Sequence, residues 1–301
     1  MNIQWVDTFK QYEQLYQLPM EKRRDFFRYE MMGPFEKMWS TIQVPMKPAT
    51  EGGYDVVMAC EMMGILALDE DERGLAAVDM IRANQAEQIL QRSLQECVHY
   101  AEQGGLSVAR EQLIAGLYFG NPEKLKPHNG YSGFGGIPGF IQLYMYPNEY
   151  NLKRLPALIA HEFHHNIRFS YFDWSHGDVT LGEYMIIEGL AESFAAAMYG
   201  QELIGPWVTS LDEDDLAYSI EVMQTALDKK GFDAISGYMF GDEVAKAQGY
   251  TPVGMSYGAG YAVGYHIVQS FLKRNNISIT EATLMKESDI IQGSGVFNLF
   301  N

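Results

Sequence analysis

Ala157-Leu158-Ile159-Ala160-His161-Glu162-Phe163-His164-His165-Asn166-Ile167 is the stretch on which the reading of this chain turns. His161, Glu162 and His165 spell H-E-x-x-H. On an α-helix, residues four apart lie one turn above each other, with Cβ atoms about 5–6 Å apart. Two imidazoles so placed can both reach one metal ion at a Zn–N distance of about 2.0–2.1 Å. Glu162 is rotated by about 100° from His161, which sets its carboxylate beside such a metal, in reach of a water proton. The apolar run before His161 predicts a buried helix.

Zinc needs a third protein ligand, and catalysis needs an open fourth position. Downstream, Thr180-Leu181-Gly182-Glu183 reads as a capping box that opens an apolar helix through Tyr199, stopped at Gly200. Inside it stands Glu188-Gly189-Leu190-Ala191-Glu192, two carboxylates one turn apart among apolar neighbours. Unpaired buried carboxylates are costly, so they are paired or metal-bound. Gly189 would allow a second helix to approach closely. Glu188 reads as the third ligand, and Glu192 as an acceptor for the N–H of a ligating histidine.

With these residues in view, the chain resembles the gluzincin metallopeptidases, in which H-E-x-x-H is followed by E-x-x-x-E/D on the next helix. The 22 residues between His165 and Glu188 slightly exceed the usual spacing. Residues 160–169 taken with 188–194 resemble more closely the bacterial predicted zinc-dependent proteases of the YjaZ type. That resemblance spans about residues 113–272. The metzincin variant would need glycine at 168 and histidine at 171, where the chain has Arg168 and Tyr171.

The resemblance implies an α+β, zincin-like metalloprotease fold: a small mixed sheet with the active-site helix, a mainly helical N-terminal part and a helical C-terminal half. It implies Zn²⁺ as cofactor and peptide or unfolded protein as substrate. It also implies that the strand before the metal helix rims the cleft and pairs with extended substrate. The glycine-rich turn at 130–139 and the strand at 140–146 then supply candidate substrate contacts in Gly135, Gly136, Gly139, Gln142 and Tyr144, with 140–146 as the sheet edge. Gluzincins commonly draw an oxyanion-stabilising Tyr or His from a helix after the third ligand. Tyr261 is the candidate here, with Tyr257 and His266 behind it.

The bulk of the chain fits this frame. Its 301 residues are 47% hydrophobic, enough for a large core. A net charge of −17 argues against nucleic acid or anionic membrane as the main partner. The N-terminus carries no basic region followed by an apolar run, and no stretch of about 18 apolar residues occurs, so a cytoplasmic protein without a membrane span is expected. Cys60 and Cys97 have no ligand spacing and read as buried reduced thiols.

In chain order, residues 1–105 read as a helical N-terminal region and 106–301 as the catalytic domain, though one continuous domain is equally open. Residues 1–48 look helical and amphipathic, with Trp5, Phe9, Tyr12, Leu15 and Tyr16 at three- and four-residue steps. The apolar run at 54–68 is open between helix and strand. Residues 69–74 fail as a calcium loop at Arg73 and Met80. Residues 75–103 read as one long helix, 112–120 as a strand, and 212–215 as an acidic helix start. No lysine–serine or lysine–threonine ends the glycine run, so it is not a phosphate loop.

His176 reads as a residue of the loop between the two ligand helices, and His164 as packed or hydrogen-bonded rather than ligating. Gly260 and Gly264 share a helical face that favours close packing.

The chemistry expected is peptide hydrolysis, with Glu162 as general base and metal on His161, His165 and Glu188. The competing expectation, which known relatives of that type imply, is a chaperone-like binder of client chains on a zincin scaffold with a structural or vestigial zinc. Oligomeric state is not written in the sequence.

Overall fold

Two nearly continuous apolar runs form the centre of the sheet: β2 (Gln112–Phe119) and β4 (Phe140–Met145). All six residues of β4 are buried, as expected for a strand covered on both faces. In the computed structural model, which describes residues 1–175 and 177–297, the sheet has four strands in the order β1-β2-β4-β3. β1 (Asn2–Trp5) and β4 both run parallel to β2, while β3 (Tyr131–Phe134) pairs antiparallel with β4. The fold is therefore mixed α+β with a small mixed sheet.

Three expectations are corrected. The strand at 140–145 is not the edge, because β3 lies outside it, pairing Tyr131 with Met145 and Phe134 with Gln142. The first residues are not helical. Asn2–Trp5 alternates in exposure and pairs with Gln112–Ala115, and Asp7 caps the first helix, Thr8–Gln17, by accepting from Lys10 N–H at 3.1 Å. The long helix is two helices, Asp71–Ala83 and Ala86–Gln103. The Asn84 side chain donates to the Met80 carbonyl at 2.8 Å and closes the first, and Gln85 turns the chain at φ 52°.

The open stretch at 54–68 contains a helix, Val56–Met62, whose N-cap Asp55 accepts from Val57 and Met58 N–H at 3.0 and 3.2 Å. The helix Glu213–Gln224 starts on Asp212, as its acidic first turn predicts.

The chain forms two compact units, neither continuous in sequence. The first comprises residues 1–96 and 108–162, and holds the sheet and the N-terminal helices. Arg23, buried, ties its helices together, pairing with Asp71 and donating to the carbonyls of Leu18 and Leu68 at 3.0 and 2.8 Å. Arg28 is likewise buried against Asp55 and Asp25.

The second unit comprises residues 97–107 and 163–301. Its central helix, Leu181–Tyr199, is buried on nearly every side from Leu181 to Ala195, the pattern of a core helix. The expected capping box is present: Thr180 Oγ1 accepts from Glu183 N–H at 3.2 Å, and the Glu183 carboxylate accepts from Thr180 N–H at 2.7 Å. The helix Ala259–Asn275 packs against it. A Cβ on Gly189 would overlap the Gly264 carbonyl, and one on Gly264 would overlap the Met185 carbonyl. The close approach expected of these glycines is thus built in.

Candidate metal centre

The helix Leu155–Tyr171 carries the motif, and the division between the two units falls within it, after Glu162. It is buried from Ala157 through Arg168. His161, Glu162 and His165 are 4, 6 and 7% exposed. On the central helix of the second unit, Glu188 is 7% exposed, and its Oε2 lies 3.5 Å from His165 Nε2. One ligand atom each from His161, His165 and Glu188 lies within 4.8 Å of the others, the group among the described residues able to hold a metal ion. Ligands about 2.0–2.1 Å from a tetrahedral zinc are about 3.3–3.5 Å apart, so the His165–Glu188 separation suits a shared ion. Two imidazoles and a carboxylate are also the donor set of known catalytic zinc sites.

Glu162 is held from the sheet side. A Cβ built on Gly133 of β3 would lie well inside 3.0 Å of the Glu162 carboxylate, and one on Gly135 would overlap the Glu162 carbonyl. Glycine is required at both positions for strand and helix to approach this closely. Gly136 meets only the Phe134 ring, at 3.4 Å, and Gly139 takes φ 98° beside Arg110.

Gln142 and Tyr144, expected to touch substrate, are 0 and 1% exposed and hydrogen-bonded to each other at 2.9 Å. Burial above all, with smaller contributions from Cys60 and the Glu162 carboxylate, pushes the Tyr144 hydroxyl well above its ordinary value, so it stays a donor. These two residues are core. Within the glycine-rich turn it is the backbone at Gly133 and Gly135 that closes on Glu162.

Residues 86–292 match the model of the family described as a predicted Zn-dependent protease (DUF2268), more than half of the chain. This chain belongs to that family. The uncharacterized protein YjfC of Bacillus subtilis (strain 168) is 50% identical over 298 residues, covering 99% of this chain and 100% of the relative. The uncharacterized protein YjaZ of the same organism is 30% identical over 128 residues, covering 42% of this chain and 45% of the relative. No solved structure matches the chain. Among the described residues, no helix is long and apolar enough to cross a membrane.

The remaining candidates fall in different places. Glu192, 2% exposed, accepts from Gly205 N–H and, at 2.9 Å, from the Trp207 indole N–H, which anchors the turn at 205–207 to the central helix. Tyr261 lies in the first turn of Ala259–Asn275, its ring 6.4 Å from Trp207 and 6.0 Å from Phe240. Tyr257 precedes that helix, half-buried, with its hydroxyl pushed up by burial, and His266 is exposed. Tyr265, one turn beyond Tyr261, has its hydroxyl pushed up to about 12 by burial and then by the charge of Glu192.

His164 is fully buried, its Nε2 3.0 Å from Thr283 Oγ1 and its ring 5.3 Å from Phe194. One turn on, Arg168 donates to the Thr283 and Met285 carbonyls and pairs with Glu287. No local sequence signal marks this anchor, since its partners lie more than a hundred residues away. His176 lies outside the described residues.

Proposed function

We propose that this chain is a zinc-dependent peptidase of zincin-like architecture, with His161, His165 and Glu188 as the ligands and Glu162 as the general base. The observation that carries the reading is the convergence of those three ligand atoms within 4.8 Å, with Glu162 next to one of them in sequence. Zinc bound there supplies Lewis acidity to the scissile carbonyl and brings the attacking water's pKa from 15.7 towards about 7.

Glu162 takes the water's proton and passes it to the leaving amine, a role worth about 10²–10⁴ in rate. The backbone of Gly133 and Gly135 fixes where that carboxylate sits. Extended substrate adds to the sheet along β3, the edge strand, whose Gly133 already touches Glu162. Tyr261 is the proposed oxyanion donor.

The test is metal content of protein purified without added zinc, measured beside turnover of a mixed peptide library. Wild type should hold about one zinc per chain and cut. Glu162→Gln should keep the metal and lose about 10²–10⁴ in kcat. A fully active Glu162→Gln variant would remove this mechanism.

A further inference from the structure

The ligand faces of the two metal-bearing helices do not end at the ligands. On the helix Leu155–Tyr171, the i, i+4 series His161, His165 continues to Phe169, whose ring stacks on His165 at 5.7 Å and 7°. On the helix Leu181–Tyr199, the series Glu192, Glu188 continues backward to Tyr184. Trp174 joins the two, with its ring 5.1 Å from Phe169 and 5.3 Å from Tyr184.

A second run of rings leaves Tyr184 and returns to the same helix. Phe240 lies 6.1 Å from Tyr184, Tyr261 6.0 Å from Phe240, and Trp207 6.4 Å from Tyr261. The Trp207 indole then donates to Glu192. Six rings from separate segments of the second unit therefore run from His165 to Glu192 by way of Tyr184, with Glu188 midway between Tyr184 and Glu192 on their helix face.

Phe169, Trp174, Phe240 and Tyr261 are partly exposed, while Tyr184 and Trp207 are buried. A partly exposed ring can take another ring in offset or edge-to-face geometry. Sites for organic ligands combine such apolar walls with a few fixed polar groups. The arc meets one proposed ligand directly, His165, through Phe169.

We infer that this arc is a specificity subsite, receiving a large apolar or aromatic side chain of the peptide beside the bond that is cut. The inference rests on the peptidase reading for its substrate, and adds to it the side-chain class and the residues that select it.

The experiment uses full-length, zinc-loaded protein and a peptide series in which one residue is Phe, Leu, Ala or Lys, scanned across both sides of the cut. At one position Phe or Leu should exceed Ala by about tenfold or more in kcat/KM, the scale of small side-chain differences in an apolar pocket. Trp174→Ala and the milder Phe240→Leu should narrow that ratio while zinc content stays at the wild-type level. The same peptides are titrated into Glu162→Gln protein, with tryptophan fluorescence as the readout.

Turnover without side-chain preference, or with Lys preferred, overturns the subsite and leaves the peptidase standing. No turnover, but Phe-selective binding that Trp174→Ala weakens, supports the subsite and overturns the peptidase. Neither turnover nor binding overturns both.

Discussion

His164 and His165 are adjacent in sequence and both buried, yet they serve two faces of one helix that use polar atoms in opposite ways. The face of His164 and Arg168 reaches fixed polar partners on one distant segment. Arg168 donates to two carbonyls and pairs with Glu287, and His164 meets the Thr283 hydroxyl. The face of His161 and His165 gathers ligand atoms instead, with the Glu188 carboxylate brought to the same point. A polar network between distant segments holds a fold; a convergence of lone pairs is what a cation needs. On the proposed reading, the difference separates residues kept for packing from residues kept for chemistry.

The comparison breaks most easily at His165. His165→Ala should empty the metal site and reduce peptide turnover to background, while the melting transition of the metal-free protein stays close to that of metal-free wild type. Metal analysis and calorimetry on chelated samples check both halves. Full metal retention would mean that the two faces are not different in kind.

The next largest effect is expected at Gly133. Gly133→Ala forces a methyl into the space of the Glu162 carboxylate, and a displacement of about 1 Å at a reacting group can cost about 10² in rate. Metal content should not change, so kcat falls with the zinc still in place. Turnover at the wild-type rate would show that the strand does not position Glu162.

Arg168 tests the packed face. Arg168→Ala leaves Glu287 and two carbonyls without their charged donor, and breaking such a buried pair typically costs about 3–5 kcal/mol. Urea denaturation with chelator present measures this free of metal linkage. A cost below about 1 kcal/mol, in the range of surface pairs, would place Arg168 outside the network that holds the helix.

The candidate metal face was legible because its information is local: His161, Glu162 and His165 sit within one turn and a residue, and Glu188 follows a capping box that announces its helix. β2 and β4 were legible as apolar runs of strand length. β3 was not, because Tyr131-Ser132-Gly133-Phe134 sits between glycines and has the composition of a turn. Only its pairing with β4 makes it a strand, and that moved the sheet edge away from 140–145. Asn2–Trp5 was hidden by apolar spacings that suit a helix equally well. The break at Asn84 and Gln85 lies in uniformly helix-favouring sequence and depends on one side-chain bond to Met80. Arg168 with Glu287, and the rings from Phe169 to Trp207, depend on contacts between distant segments that no periodicity records.

His164 carries the smallest expected effect and the sharpest contrast. His164→Leu removes the ring nitrogen beside Thr283, but the Thr283 hydroxyl keeps its bond to the Ile279 carbonyl at 2.7 Å, so no buried hydroxyl is left unsatisfied. The leucine keeps an apolar contact with Phe194, and the net cost should be about 1 kcal/mol, the usual worth of one hydrogen bond. Because His164 and Arg168 both bond Thr283, the double variant should depart from additivity by about 0.5 kcal/mol or more, as residues sharing a partner do. Zinc content should remain that of wild type, one residue away from a substitution that abolishes it. If His164→Leu instead lost the metal while keeping its fold, His164 would belong with His161 and His165, and the division between the two faces of this helix would be wrong.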